Sequence, residues 1–412
     1  MTLSHLVRSQ AKQIRTILNL VLSGMLLLFC LACNEERAPQ QTEPPKPITS
    51  PVQSSDSTRE IAGKARIAIN DSLDELAGII AGTLDSSSYF PAITASSAYK
   101  AHRRQFSKRW NHFDSIRVSK IRQFHDSELV NQVVMQEDLF YPFSGPDYLY
   151  AGLFFPEARR YLLVGLEPCG SPDPLVQQRP DSLSSYFSAL NRSLNAILKF
   201  SFFRTNSMEE DLRSSKLDGV MHLLFLFLKR EGNRIVSLKT IGIDSTGQIE
   251  ALPDSVLTKG NSRGLEIRFL NPNDSEKVLQ YFSLNLSDPG MRKHSGLQRY
   301  LLNKPGFNTY LKGASYLLHK PYFSRIRSCI LQKSKTIVQD DSGIALHYFL
   351  AQGNIWRFRL YGEYAEPISL FRKSYQPALD SMYKSTGSQR LGFGIGYNFK
   401  DNNSNLMIAI RK

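Results

Sequence analysis

Residues 141–156 read YPFSGPDYLYAGLFFP, and the apolar run YLLVG follows at residues 161–165. Pro142 and Pro146 hold φ at about −65°, and Gly145 between them can adopt positive φ. Ser144 or Asp147 can then cap a helix that begins directly after the turn. The sequence therefore predicts a tight turn, a short helix and a strand in succession.

A second segment rich in turn-forming residues lies nearer the end of the chain. Residues 339–343 read QDDSG, which predicts a turn between two strands. An aromatic strand is predicted soon after it, at residues 356–364. The turn places two adjacent carboxylates, Asp340 and Asp341, in a loop where they can contact a ligand.

The candidate ligand-binding or active-site residues are the polar side chains near these two segments. They are Tyr141, Ser144, Asp147, Glu167, His319, Asp340 and Asp341.

Each candidate also has a simpler structural interpretation, which we favour. Asp147 can cap a helix, Asp340 and Asp341 can form the turn, and His319 can be hydrogen-bonded at a strand end. Catalysis by a triad of Ser144 or Ser315 with His319 and an aspartate stays open, because triads are recognised by geometry in space and not by spacing in the sequence.

Several of these motifs carry a family resemblance. The runs YPFSGPDYLYAGLFFP and YLLVGLEPCG, the segment at 310–344 ending in QDDSGI, and the runs YGEYAEPISLF and LGFGIGYNF resemble a family of exported bacterial lipoproteins with no assigned function. The resemblance covers most of residues 130–412 and implies a folding unit, but it supplies no catalytic residue. Where that family has an aliphatic residue after Glu167-Pro168, this chain has Cys169, which argues against a structural disulfide.

Apolar periodicity places helices and strands along the folded region. Helices are predicted over residues 57–82, 96–129, 183–199, 209–217, 220–230, 297–302 and 322–333, and a loop over 287–295. Strands are predicted over 160–166, 234–244, 265–270, 277–286, 308–318, 336–339, 345–350, 355–361, 391–398 and 406–410. Without a regular alternation of strands and helices, the expected class is α+β, with a mixed, largely antiparallel sheet and packed helices. Residues 61–290 and 291–412 are expected to pack as one unit.

The helix predicted over residues 96–129 has one aromatic stripe, which includes Phe106, Trp110 and Phe113 at helical spacing. Between residues 100 and 122 its other faces are strongly basic, with Lys100, Arg103, Arg104, Lys108, Arg109, Arg117, Lys120 and Arg122 against Asp114 alone. This basic surface can either bind an anionic surface or simply be solvated. We favour a solvated surface.

The start of the chain is typical of a bacterial lipoprotein signal. Residues 1–32 combine a basic beginning with an apolar run that is short for a membrane-spanning helix. Ala32 precedes Cys33 in a motif that resembles the lipobox, although Cys30 stands where that signal usually has Leu. The sequence therefore predicts cleavage before Cys33 and lipidation of that cysteine by acyl chains such as palmitate.

Residues 33–60 are predicted to be a disordered tether, because they are rich in Pro, Gln, Ser and Thr and nearly free of large apolar side chains. Asn34 follows the lipidated position, where an Asp would favour the inner membrane, so the expected location is the outer membrane of the cell envelope. The expected partners are the membrane, through the lipid anchor, and an anionic envelope polymer or a protein.

Charge and motifs exclude several classes of function. The formal net charge is +14, yet nucleic acid is not an expected partner of an exported protein. Metal-ligand spacings, phosphate-binding glycine loops and the GxSxG elbow are absent from the sequence, so no metal or cofactor is expected. Cys169 and Cys329 could pair in an oxidising compartment, and the sequence leaves that open.

Two functions are compatible with these features. The first is a non-catalytic envelope lipoprotein that binds a partner or ligand through its aromatic and proline-rich loops. The alternative is a hydrolase of an envelope polymer that uses Asp147, Glu167, Asp340 and Asp341, which would require these acids to converge in one cavity.

We predict that the wild-type protein partitions into the detergent phase and incorporates labelled palmitate. Replacement Cys33→Ala should abolish the labelling, because the thiol that carries the acyl chains is removed. Labelling that persisted in this variant would show that the chain is not lipidated at Cys33.

Overall fold

The computed structural model describes residues 67–134, 136–171, 180–200, 217, 219–253, 262–399 and 404–412. All of these residues belong to the second of the two compact units into which the chain divides, Ala65–Lys412. The predicted signal peptide, Cys33 and the tether lie outside the described residues. So do residues 209–216 of the helix predicted over 209–217.

The strands of the described chain form one ten-stranded sheet. They are β1 (Asp138–Pro142), β2 (Arg160–Gly165), β3 (Arg234–Ile243), β4 (Ile249–Ala251), β5 (Ser262–Leu270), β6 (Glu276–Ser283), β7 (Phe307–Leu311), β8 (Ser334–Gln339), β9 (Trp356–Gly362) and β10 (Asn405–Arg411). Their order across the sheet is β4-β3-β5-β6-β2-β1-β7-β8-β10-β9.

The centre of the sheet is parallel and its two flanks are antiparallel. Strands β6, β2, β1, β7 and β8 run in the same direction, whereas β4, β3 and β5 on one side and β10 and β9 on the other pair antiparallel. Parallel neighbours need crossover connections, which here contain helices. The predicted α+β class with a mixed sheet and packed helices is confirmed.

The described helices are α1 (Asp71–Ala81), α2 (Pro91–Ala95), α3 (Ser97–Phe113), α4 (Ser119–Phe124), α5 (Tyr148–Phe154), α6 (Pro180–Phe200), α7 (Met221–Arg230), α8 (Asp288–Lys293), α9 (Ser295–Asn303), α10 (Ser324–Lys333), α11 (Leu346–Leu350) and α12 (Pro377–Thr386). Short 3₁₀ helices span Ala314–His319, Pro321–Phe323, Ser369–Ser374 and Gly396–Asn398.

Helices cover both faces of the sheet, and alternate residues of the central strands divide between the two cores. Leu139 and Tyr141 of β1 pack with residues of α1, α3, α5, α6 and α7. Phe140 lies on the opposite face, where α8 to α12 form the second core. Successive side chains of a strand point to opposite faces of the sheet. All five residues of β1 are buried, so this strand is covered on both faces.

The first helix is shorter than its predicted span of residues 57–82. It begins after Asn70, whose side chain accepts a hydrogen bond from the backbone N–H of Leu73 at 3.1 Å. It ends at Gly82, which adopts φ 61° as the left-handed cap of a helix requires. These two caps set the bounds of α1, and residues 57–66 lie outside the described residues.

Two predictions on the segment after β6 are wrong. Residues 287–295 were expected to form a loop but contain α8, which begins after Ser287 with a proline in its first turn, a recognised helix start. The strand expected over residues 308–318 ends at Leu311. Gly313 at φ 65° then turns the chain into the 3₁₀ helix that follows.

Two further segments predicted as strands are not strands. Residues 345–350 contain α11, in which Leu346 and Phe349 are buried three residues apart, a helical spacing. Residues 391–398 form irregular backbone that ends in the 3₁₀ helix Gly396–Asn398, and the N–H of Ile395 is bonded to the side chain of Ser404 at 2.9 Å. Neither β1 nor α12 is predicted from the sequence. The other predicted elements that fall on described residues are found within a few residues of their expected bounds.

The basic helix is continuous from Ser97 to Leu129 and widens into π-helical turns at Asp114–Val118 and His125–Leu129. Its aromatic stripe faces the core as predicted, with Phe106 fully buried. Arg117 does not belong to the solvated surface, because it is buried and bonded to the Tyr150 hydroxyl at 3.5 Å. The rest of the basic surface is largely exposed, which is compatible both with a solvated surface and with one that binds an anionic partner.

The structure also bears on two other questions, whether the two cysteines are paired and whether a helix could span a membrane. Cys169 and Cys329 are both buried free thiols, so they do not form a disulfide. Within the described ranges, no helix combines the length and the apolar character needed to cross a bilayer.

We expect the chain from residue 61 onwards, which lacks the lipid, not to sediment with phosphatidylglycerol vesicles, because the aromatic side of α3 is buried in the core. Sedimentation at low and physiological ionic strength measures this. Salt-sensitive binding that weakened on charge reversal of Arg103, Arg104, Lys108 and Arg109 would contradict it, since exposed charges are screened over about 8 Å at physiological ionic strength.

Candidate functional site

A cleft lies where the parallel strands β1, β2, β6 and β7 end. The carboxyl ends of parallel strands meet at one edge of a sheet, which is where ligands bind in many open sheets. The cleft has a volume of about 140 Å³ and a mostly apolar lining. The lining residues are Tyr141, Phe143, Ser144, Gly145, Asp147, Val164, Gly165, Leu166, Glu167, Leu284, Asn285, Leu286, Lys312, Ala314, Leu317 and Phe323.

The turn after β1 is conformationally strained. Phe143 adopts φ 58° and Gly145 adopts φ 53°, so two left-handed residues flank Ser144. The Ser144 N–H donates to the Val164 carbonyl of β2 at 2.9 Å, which ties the turn to the next strand. Positive φ is rare for a large side chain such as Phe143. Strain of this kind is concentrated at functional sites.

A buried ion pair forms the base of the cleft. The Lys312 ammonium lies 2.6 Å from Oδ2 of Asp147, and each side chain is only 1% exposed. Tyr141 donates its hydroxyl to the same carboxylate at 2.9 Å, and burial together with the Asp147 charge raises the pKa of Tyr141 well above its usual value. Lys312 also lies 3.4 Å from the centre of the Tyr150 ring. All charge at the base is therefore paired.

Asp147 also caps α5, as the sequence predicts. Its Oδ1 accepts a hydrogen bond from the backbone N–H of Tyr150 at 3.3 Å. The carboxylate is therefore bonded through one oxygen to the helix and through the other to Lys312 and Tyr141. These bonds leave Asp147 poorly suited to exchange a proton with a ligand.

Glu167 lines the same cleft from the end of β2. Its Oε2 accepts from the Leu166 N–H at 3.0 Å and from the Tyr281 hydroxyl at 3.3 Å. Gly165 leaves no space beside these groups, since an added Cβ would lie 2.7 Å from the Tyr281 hydroxyl and 3.0 Å from the Gly145 Cα. The two strand ends are therefore packed in direct contact, which holds Glu167 at the wall of the cleft.

Asp340 and Asp341 lie at the end of the next strand, β8, and are not among the residues that line the cleft. Asp340 accepts hydrogen bonds from the N–H groups of Gly313 at 3.2 Å and Ser342 at 3.0 Å. Burial and the charge of Asp341 raise the pKa of Asp340 to about 7. The sequence placed these acids in a turn correctly, and their bonds to the backbone hold that turn together.

Asp341 is bonded to side chains from two other segments. The Tyr316 hydroxyl donates to Oδ2, and the Asn405 amide donates to Oδ1 at 3.1 Å. Burial raises the pKa of Asp341. The pair Asp340–Asp341 therefore joins β8, β10 and the 3₁₀ helix after β7, and both carboxyl groups are used for that purpose.

His319 lies outside the cleft and is bonded to the turn that contains Asp340 and Asp341. Its Nε2 is 2.9 Å from the Gly343 carbonyl, so Nε2 carries the donated proton. Burial lowers the pKa of His319 to about 4, which keeps the ring neutral at neutral pH. Ser144 donates instead to the carbonyls of Gly145 and Val164. The hydrogen bonds of the described residues therefore do not join a serine to His319.

The structure unites Tyr141, Ser144, Asp147 and Glu167 in one cleft and adds Lys312, which the sequence analysis did not select. Its only sequence signal was a lysine inside the strand predicted over residues 308–318. In the part of the chain that the structure describes, no group of three or more His, Cys, Asp or Glu side chains could hold a metal ion. The arrangement can enclose a small apolar molecule, but it presents no unpaired acid–base couple.

We predict that Gly145→Val lowers the free energy of unfolding by about 1 to 2 kcal/mol, because left-handed backbone is that much less favourable for a residue with Cβ. The matched control is Gly392→Val, at a glycine where no atom lies within 4 Å of an added Cβ and whose φ is not positive. Chemical denaturation of both variants measures the difference. Equal stabilities would show that the turn tolerates a branched residue.

Comparisons of the chain with protein-family models, with curated proteins and with solved structures found no match. The resemblance to exported bacterial lipoproteins therefore stays a prediction.

Proposed function

We propose that this protein is a lipid-anchored binding protein of the cell envelope that takes a small, largely apolar molecule in the cleft at the ends of β1, β2, β6 and β7. The proposal rests on one observation: the cleft combines an apolar lining with polar groups that are already paired. Asp147 and Lys312 are the clearest example of such a pair. Such a cleft has little capacity for acid–base chemistry and a favourable surface for burying a ligand.

The size of the cleft limits the ligand. An engineered protein cavity of about 150 Å³ binds benzene, and the cleft has a volume of about 140 Å³. The part of the ligand that enters should therefore be about one aromatic ring or a short branched aliphatic group.

One group in the wall can orient the ligand. In the described chain, the hydrogen bonds to the Glu167 side chain go to Oε2, so its second oxygen, Oε1, can accept one more. A ligand with an N–H or O–H group beside an apolar ring could donate a hydrogen bond to Glu167 and pack its ring against the apolar lining.

The mouth of the cleft also favours an apolar molecule. Leu166 is 61% exposed and Leu317 is 37% exposed, and both line the cleft. Exposed apolar side chains grouped around a cavity are typical of ligand-binding sites. A ligand larger than the cavity would therefore extend over these two leucines.

The hydrolase alternative receives less support. Hydrolysis by two carboxyl groups needs both of them at the scissile bond. Asp147 is held by Lys312, and Asp340 and Asp341 are bonded inside a neighbouring network. We therefore retain binding as the proposed function and make turnover a measured outcome.

Indole is a suitable probe, because it has one apolar ring system and one N–H donor. We expect saturable binding of indole to the chain from residue 61 onwards, which contains the whole sheet and both cores. Replacement Ala314→Phe should abolish it by filling the cleft, whereas Ala92→Phe, at an exposed residue of α2 outside the cleft, should not. Calorimetry and saturation-transfer NMR measure the binding.

Lack of saturable binding by the wild-type chain, or equal binding by both variants, would refute the cleft as the binding site. Hydrolysis of an envelope polymer that Asp147→Asn abolished, with folding intact, would instead establish the catalytic alternative.

A further inference from the structure

A second cavity, with a volume of about 360 Å³, lies beyond the end of the 3₁₀ helix Ala314–His319. The starts of α11 and α12 complete its walls. Its charged and polar lining residues are His319, Lys320, His347, Lys373, Ser374, Tyr375 and Gln376. We call this space the basic cavity.

The charged lining of the basic cavity has one sign. Lys320 and Lys373 come from separate segments, and no acidic side chain is among the lining residues. In the described part of the chain, the ion pairs involve neither ammonium. Like charges gathered in a concave space repel one another and attract an anion.

Arg327 adds positive charge behind the wall. It is buried, and it donates to the carbonyls of Leu318 at 2.7 Å and Lys320 at 3.1 Å. These bonds hold the end of the 3₁₀ segment and so position Lys320 at the cavity.

The first turn of α12 faces the basic cavity without a side-chain cap. Gln376 is the residue at the cap position, but its amide donates to the Asp341 carbonyl at 3.1 Å and accepts from the Leu346 N–H at 2.8 Å. Helix starts with unbonded N–H groups favour anions. This helix start adds to the effect of the two lysines.

Two acids near this region are already compensated, and a third, Glu366, is exposed and lies near Tyr375. Asp380 of α12 accepts hydrogen bonds from Lys384 at 2.7 Å and from the Tyr375 hydroxyl at 2.9 Å. Asp341 is buried and bonded to Tyr316 and Asn405. Neither carboxylate forms an ion pair with Lys320 or Lys373 among the described contacts.

We propose that the basic cavity is an anion site that binds the phosphate group of a small phosphate ester through Lys320, Lys373 and His347. Two ammonium groups match the double negative charge of a phosphate monoester. The volume lies in the range of small-molecule sites and exceeds that of a bare phosphate, so it can also hold part of the esterified molecule. The site is independent of the apolar cleft.

Calorimetry on the full-length chain in a neutral detergent tests the proposal with glucose 6-phosphate, inorganic phosphate and glucose as probes. We expect saturable binding of glucose 6-phosphate and none of glucose. The double replacement Lys320→Gln/Lys373→Gln should weaken binding about tenfold or more, as expected for the loss of two hydrogen bonds to a charged group. The control Lys239→Gln/Lys293→Gln makes the same change in charge at exposed lysines outside the cavity.

Tighter binding of the ester than of inorganic phosphate supports the proposal as stated, and equal binding identifies phosphate itself as the ligand of this cavity. Equal loss of affinity in both double variants would overturn it, because the effect would then be one of net charge. Absence of saturable binding by the wild-type chain would overturn it as well. Thermal unfolding of each variant verifies that the comparison is made between folded proteins.

Discussion

The buried contact between Asp147 and Lys312 is the interaction on which the cleft depends. Burying either charge alone costs several kcal/mol, so each requires the other. Asp147 begins α5 after the turn that follows β1, and Lys312 directly follows β7, so their 2.6 Å contact holds the ends of two adjacent parallel strands together. The same carboxylate caps α5 and accepts the Tyr141 hydroxyl. One pair therefore links the strand ends, the helix start and the base of the cleft.

The parallel centre of the sheet explains why the polar residues gather at one edge. Strands that run in the same direction deliver their carboxyl ends to the same side, so the loops after β1, β2, β6, β7 and β8 become neighbours. The 3₁₀ helix Ala314–His319 crosses this edge. Ala314 and Leu317 contribute to the apolar cleft, whereas His319 and Lys320 contribute to the basic cavity. A short segment therefore separates an apolar space from a cationic one.

The sequence predicted the local features of the site and missed its long-range partner. Positive φ at Gly145 and capping by Asp147 are properties of a few neighbouring residues, and both are present. Lys312 is 165 residues away from Asp147, so no local pattern connects them. The strands expected over residues 345–350 and 391–398 failed for a related reason. Their apolar residues are buried in helical or irregular backbone, and a short apolar run does not by itself distinguish a strand from another buried segment.

By itself, the sequence determined the turn chemistry, most of the helices and strands, and the α+β class, because capping, glycine conformation and apolar periodicity act over a few residues. Only the tertiary structure decided that the central strands are parallel, that Asp147 pairs with Lys312, and that Asp340 and Asp341 serve a separate network. Strand order and buried ion pairs depend on contacts between distant residues. Burial by the whole fold imposes the desolvation cost of the two charges and strengthens their attraction, so the free energy of a buried ion pair cannot be read from a local pattern.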